Sequence, residues 1–242
     1  MRVAVVSDIH SNLAALNAVL LSLGTLDAVW HLGDVVGYGP EPDGVVERLR
    51  EVGAIGVRGN HDDAACGGES IESFTPDARL AAEWTRSHIS DETRLYLAAL
   101  PERLEQAGEA FTLVHGSPRE PIYEYLHTAS AAADNLAAFT TPYCLVGHTH
   151  VPLILREEHG LIRARLVEPG SRANLDARRA FLNPGSVGQP RDGDPTASFM
   201  LIDTGAAAVT WQRVAYDLET TQAAILRAGL PSGLARRLGS GR

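Results

Sequence analysis

The sequence predicts an α/β domain, and three observations predict it. Short apolar runs alternate with helical patterns through the first half, turn-separated strand-like runs fill the second, and several apolar runs end in Asp, Asn or His. Alternation of the first kind is the pattern of βαβ units and a largely parallel sheet. Strands divided only by turns suit antiparallel pairing. A chain of 242 residues can bury a sizeable core, so a single domain over 1–230 is expected.

Val3 to Val6 reads as the first strand. Leu13, Leu16, Val19, Leu20 and Leu23 recur at helical spacing, with Gly24 as a stop. Ala28 to Leu32 is the second strand, and after the Gly/Pro-rich loop 37–42 the positions Val45, Val46 and Leu49 suggest a helix. Ala54 to Val57 then completes a βαβαβ opening. Residues from about Pro76 to Leu100 look helical and are closed by Pro101, within a possible helical lid at about 66–106. Phe111 to Val114 and Tyr143 to Val146 read as buried strands around an Ala-rich helix near 130–139. Strand-like runs follow at 151–155, 161–167, 180–182, 197–202 and 207–214, and a last helix starts near Leu218. The stretch 231–242 reads as a flexible tail.

Composition narrows the function classes. Hydrophobic residues make up 45% and charged residues 21%, which is globular rather than disordered. A net charge of −9 disfavours nucleic acid, whose non-specific affinity comes from Lys and Arg displacing counterions. No apolar run approaches a membrane span of roughly 18 residues, and Met1-Arg2 leads into Val3 without a signal-peptide pattern. The expected location is the cytoplasm, and a small phosphate ester bound through metals remains compatible with the acidic balance. Cys66 and Cys144 have neither zinc-site nor disulfide spacing and are expected to be reduced thiols.

The chemistry lies where the strands end. Five apolar runs terminate at Asp8, Asp34, Asn60, His115 and His148. In open α/β sheets the carboxyl ends of the strands share one edge, where ligands bind, so these tips can converge. Asp8-Ile9-His10 and His148-Thr149-His150 each carry a second donor at alternate spacing. In an extended segment those side chains point the same way, so each pair could grip one metal. Gly33, Gly59 and Gly147 precede three of the donors and permit close backbone approach. Seven candidate donors without a thiolate exceed the four of a structural zinc site. Two ions are the natural reading, and imidazole with carboxylate suits manganese, iron, zinc, nickel or cobalt over calcium or magnesium.

The run Asp8 to His10, Gly33-Asp34, Gly59 to Asp62, His115-Gly116 and Gly147 to His150 resembles the calcineurin-like metallophosphoesterase superfamily. Residues 183–188 (Asn-Pro-Gly-Ser-Val-Gly) resemble a late segment of its small bacterial and archaeal branch. The resemblance implies a four-layer αββα sandwich with two central mixed β-sheets. It also implies that Asp8, His10 and His150 hold one metal, that Asn60, His115 and His148 hold the other, and that Asp34 bridges them. A metal-bridging hydroxide would attack the phosphate ester, with His61 as general acid beside the leaving group. Asp62 would orient His61 or cap the helix that follows.

Arg58, just before Gly59-Asn60, is a candidate phosphate contact or a surface ion pair. Asn12, Tyr38 and Arg119 are further substrate-contact candidates, with loop packing or capping as the alternative. After Asp34 the run Val35-Val36-Gly37-Tyr38-Gly39 lacks the Asp and Arg found there in protein Ser/Thr phosphatases. A protein phosphatase or dinucleoside polyphosphate hydrolase is therefore disfavoured against a smaller phosphodiesterase or phosphatase. The rival classes are a catalytically weak protein-interaction scaffold on the same fold and a nuclease. A serine triad loses support because Ser117 and Ser186 lack the Gly-x-Ser-x-Gly elbow.

Overall fold

Inward and outward side chains alternate along the central strands, and that alternation builds the layers. In the computed structural model, which describes residues 1–68, 71–106, 108, 110–176 and 178–242, the chain begins with β1 (Arg2–Val6), α1 (Leu13–Ser22), β2 (Ala28–His31), α2 (Pro42–Glu51) and β3 (Ile55–Gly56). Val3, Val5 and Trp30 face one apolar cluster, while Val6 and Val29 face another. The first cluster fills the space between two sheets. The second lies under α1, α2 and a later helix.

The chain continues through α3 (Asn60–Cys66), α4 (Pro76–His88), α5 (Asp91–Ala99), β4 (Arg103–Gln106) and β5 (Phe111–Val114). Next come α6 (Ala129–Asn135), β6 (Tyr143–Leu145), β7 (Leu153–Glu158), β8 (Leu161–Leu166), β9 (Arg172–Asn174) and β10 (Ala180–Asn183). β11 (Ala197–Asp203), β12 (Ala208–Val214), α7 (Leu218–Arg227) and α8 (Ser232–Ser240) end it. One sheet has the order β3-β2-β1-β11-β12-β9 and the other β4-β5-β6-β10-β7-β8. Both are mixed: β1 is parallel to β2 and antiparallel to β11, and β6 is parallel to β5 and β10. Leu113, Tyr143 and Leu145 join the inter-sheet core, whereas Val114, Cys144 and Val146 pack outward with Ala132 of α6. The result is the α/β four-layer sandwich that the resemblance implied.

The structure differs from the sequence reading in three places. Residues 231–242 are no flexible tail, because α8 buries Leu234, Ala235 and Leu238 against Tyr38 and α4. The stretch 66–106, read as a helical lid, ends in the strand β4, which pairs antiparallel with β5, and its positions 69 and 70 lie outside the described residues. Its helices α4 and α5 pack on α3, and α5 also meets α2. The strand β9 at the far edge of the first sheet was not foreseen, since three residues carry too little alternation to read. Among the described residues, no helix is long and apolar enough to cross a membrane.

Candidate metal centre

Every predicted donor lies at the same edge of the sandwich. Asp8 and His10 follow β1, Asp34 follows β2, and Asn60 opens α3 just after β3, all on one sheet. His115 follows β5, and His148 and His150 follow β6, on the other. All seven are buried. Ligand atoms of Asp8, His10, Asp34 and His150 lie within 4.8 Å of one another, as do those of Asp34, His115 and His148. Asn60 joins the second group, its Oδ1 lying 3.2 Å from His115 Nε2.

The spacing argument assumed extended backbone at the donor tips, which the structure does not show. Asp8, His10, Asp34, His148 and His150 all have positive φ, between 49° and 63°, so the donor tips are tight left-handed turns rather than extended segments. Such a backbone is costly for non-glycine residues and persists where the surroundings hold it. Here backbone contacts hold it: the N–H of Asp8 donates to Gly33 O (3.1 Å) and that of His10 to Asp34 O (3.0 Å). Asp8 and His10 nonetheless share one donor group, whereas His148 and His150 do not share one. They fall in different groups, as the resemblance implied.

The late segment 183–188 clamps these turns. Gly188 N and Ser186 Oγ both donate to the Asp8 carbonyl (2.9 and 2.7 Å), and Asn183 Nδ2 donates to Gly147 O (2.8 Å). A Cβ on Gly188 would lie 1.7 Å from Ile9 O, and one on Gly147 would lie 2.1 Å from Ser7 Oγ.

Tautomers are set by second partners. Nδ1 of His10 faces Val36 O at 3.1 Å, that of His115 faces Leu32 O at 2.7 Å, and that of His150 faces Gln189 O at 2.6 Å. A carbonyl can only accept, so Nδ1 carries the proton and Nε2 presents a lone pair inward, the arrangement metal-ligating histidines adopt. Two inward pairs of nitrogens then confront each other, His10 Nε2 with His150 Nε2 at 3.2 Å and His115 Nε2 with His148 Nδ1 at 3.1 Å. Facing lone pairs repel unless a proton or a cation lies between them. Asp8 Oδ1 is buried without a hydrogen-bond partner. The donor set therefore fits metal ions.

Electrostatics point the same way. Burial alone would raise Asp34, but His115, His61 and His10 around it overcome that and hold it well below the usual carboxylate range. Burial pushes Asp8 up to about 7, with the Asp34 charge adding to the rise. Against its own burial, His115 is pulled up to about 9 by Asp34 and Asp8. Without metal, a protonated imidazole supplies the counter-charge that two close carboxylates demand.

The remaining candidates separate. The His61 ring lies between Tyr38 (centroids 4.4 Å apart) and Phe74 (4.9 Å), edge-on to His10 at 4.9 Å. Its Nδ1 is buried without a partner. Asp62 does not reach that ring, because its two oxygens accept from the N–H groups of Val36 and Gly59 (3.0 Å each), which makes it a latch at the start of α3. Asn12 caps α1 through Ala15 N (3.1 Å) and donates to Gly188 O (3.0 Å). Arg58 lies beside Asp63 (3.5 Å) and Glu102 (3.3 Å), and exposed Arg119 pairs with Glu124. Of the four substrate-contact candidates only Tyr38 lines the cavity beside the donors. Sequence reading missed Arg191, Tyr125 and Arg237, which line that cavity too. The signal for Arg191 was its place three residues beyond the 183–188 segment, whereas Arg237 left none in a stretch read as a tail.

The calcineurin-like phosphoesterase superfamily domain matches residues 1–207. The crystal structure of a metallophosphoesterase from Sphaerobacter thermophilus superposes with a TM-score of 0.91 at 46% identity, covering 100% of this chain and 99% of that one. An uncharacterized protein of Methanocaldococcus jannaschii is 36% identical over 99% of this chain and 98% of its own. The phosphodiesterase YfcE of Escherichia coli is 29% identical over 86% of this chain and 91% of its own.

Proposed function

Because the chain belongs to the calcineurin-like phosphoesterase superfamily, we propose that it hydrolyses a small phosphate ester, diester or monoester, at a two-metal centre. Asp8, His10, Asp34, Asn60, His115, His148 and His150 hold the metals, and His61 is the acid. The observation that carries this reading is the pair of buried donor groups sharing Asp34. Two transition-metal ions, when bound there, would supply a nucleophile by lowering the pKa of water and would stabilise charge on the phosphoryl oxygens.

The chain's own residues do the rest. Carbonyl partners fix the inward nitrogens of His10, His115 and His150 before any ion arrives. Asp34 accepts the main-chain N–H of His61 at 2.9 Å and so ties the acid to the carboxylate that the two donor groups share. Burial pushes the His61 imidazole down to about 4 despite Asp34. Its neutral form therefore prevails at pH 7 until an anionic phosphoryl group draws a proton onto it. Likeness to a phosphodiesterase supports the diester arm. The run Gly33 to Gly39, without the Asp and Arg of protein phosphatases, supports a small substrate.

The test couples metal analysis of the full-length protein to a panel of phosphomonoesters, phosphodiesters and nucleotides with added manganese, nickel, zinc or iron. Two ions per chain and turnover of one ester class are expected. Bound metal without turnover on any ester would favour a scaffold, and salt-sensitive cleavage of DNA or RNA a nuclease. His61→Ala should keep both ions and lose about 10²- to 10⁴-fold in kcat. Loss of metal in that variant would instead make His61 a ligand.

A further inference from the structure

A cavity of about 420 Å³ is lined both by Asn60, His61 and His148 and by the guanidinium groups of Arg191 and Arg237. The two arginines come from distant parts of the chain. Arg191 follows the clamp segment, and its N–H donates to the carbonyl of His150 (3.3 Å). Arg237 lies on α8, beyond residue 207 where the family match ends. Tyr38 joins them, its ring centroid lying 5.9 Å from the Arg191 guanidinium carbon and 6.0 Å from that of Arg237.

Each arginine keeps guanidinium nitrogens without a partner among the described residues, although Arg191 also bonds the Tyr125 side chain and its charge reaches Asp8. Among the described residues no Asp or Glu side chain pairs with them. Arg191 Nη2 donates to Gln189 Oε1 (3.0 Å) and lies 3.5 Å from the Tyr38 hydroxyl, while its buried Nε has no partner. Arg237 Nε donates to the main-chain oxygen of Arg242 (2.7 Å), and its two terminal nitrogens have no partner among the described residues. Half-burying a guanidinium beside a second one costs free energy that a bound anion would return. Asp8, the buried carboxylate that the Arg191 charge reaches, belongs to the candidate metal centre and faces its histidines. Asp77 is the acidic group that faces Arg237, too far away to pair with it.

We propose that Arg191 and Arg237 form an anion subsite for a second, non-scissile oxyanion, so that the substrate is a phosphate ester carrying a further phosphate or carboxylate. The proposal rests on the phosphoesterase reading for the identity of the first anionic group. The scissile phosphoryl group lies at the donors and the second oxyanion at the arginines, both of which lie about 6 Å from the Tyr38 ring centroid. The hairpin α7–α8 is thereby a selectivity element set on the catalytic domain.

Calorimetric titration of the manganese-loaded, full-length protein tests it without turnover. Phosphonocarboxylates and bisphosphonates with two to four carbons are compared with the matching alkylphosphonates. The doubly anionic probes should bind at least about tenfold tighter, and comparing the two kinds of probe distinguishes carboxylate from phosphate. Arg237→Gln and Arg191→Gln should each cut that advantage to within about threefold, and Arg237→Lys should restore part of it. If Arg237→Gln does not fold, as judged by thermal melting, Arg237→Lys and Arg191→Gln carry the comparison. No advantage in the parent protein, or an advantage that survives both Gln substitutions, overturns the subsite. An arginine-dependent advantage in a protein that turns over no ester would sink the hydrolase reading and leave the subsite standing. Turnover without discrimination would do the reverse.

Discussion

Gly59 has φ −99°, a conformation open to any residue, so its requirement is one of space. A Cβ there would lie 2.1 Å from Asp34 Oδ1 and 2.3 Å from Asp34 N. Gly59→Ala should therefore displace the shared carboxylate, costing about 1–3 kcal/mol by overpacking. It should also lower metal content below two ions per chain, read by denaturant unfolding and elemental analysis. Unchanged metal content would mean that the turn relaxes without moving Asp34. His31 is the contrasting buried histidine. Its Nε2 meets the Tyr96 hydroxyl at 3.1 Å on the α5 side, away from the donors, and burial pushes it down to about 4 from 6.5. The unfolded chain thus takes up a proton that the folded chain refuses. This contribution is present above pH 6.5 and is lost as pH falls through 6.5 to 4. His31→Leu should lower the slope of unfolding free energy against pH in that window by as much as one proton, about 1.4 kcal/mol per pH unit. An unaltered slope would mean that His31 titrates normally in the folded protein.

At the scale of elements, what was legible in the sequence followed apolar density. The donor-bearing strands β1, β2, β5 and β6 are apolar runs closed by a polar donor, so element and site could be read together from the same residues. The strand β4 hides because its Arg-Leu-Glu-Gln is polar in three of four positions at a sheet edge. The left-handed turns that converge the donors were invisible, since positive φ at Asp and His is imposed by contacts with other strands. The helix α8 hides for a related reason. Ser232, Gly233 and Gly239 lower its propensity, and only Leu234, Ala235 and Leu238 make its apolar face, which is stable because Tyr38, Ala78 and Ile225 wait to cover it. Leu234, 1% exposed, anchors that face. Leu234→Ala should cost about 2–5 kcal/mol. Amide exchange should quicken first in α8, while both metals are retained. Protection of α8 equal to that of the unsubstituted protein would mean that the helix is held by something other than this cluster.

The whole molecule is two six-stranded sheets facing each other across one apolar core, and the donor set is drawn from both. Asp8, His10, Asp34 and Asn60 leave the first sheet, and His115, His148 and His150 leave the second. Each donor group therefore spans the sandwich: His150 meets the Asp8 side, and His115 and His148 meet Asp34. A cation in either group ties the sheets together at the carboxyl edge, in the manner of a staple that the apolar core alone does not supply there. At the opposite edge the sheets meet through Val3, Ile202, Val209 and their apolar neighbours, whereas nearer the carboxyl edge Trp211 Nε1 donates across the sandwich to Asn183 O (2.8 Å). A metal that binds the folded arrangement and not the unfolded chain would stabilise it by RT ln(1 + [L]/Kd), about 4 kcal/mol for each ion held at a thousandfold excess over its Kd. Chelation should lower Tm, and it should do so unevenly. Amide protection should fall most at the turns after β1, β2, β5 and β6 and in the 183–188 clamp, and least in β8 and β9. A Tm loss with uniform deprotection would mean that the ions act on global stability alone. Protection that collapses at the carboxyl edge while β9 stays closed would show that the metal centre and the join between the two sheets are one structure.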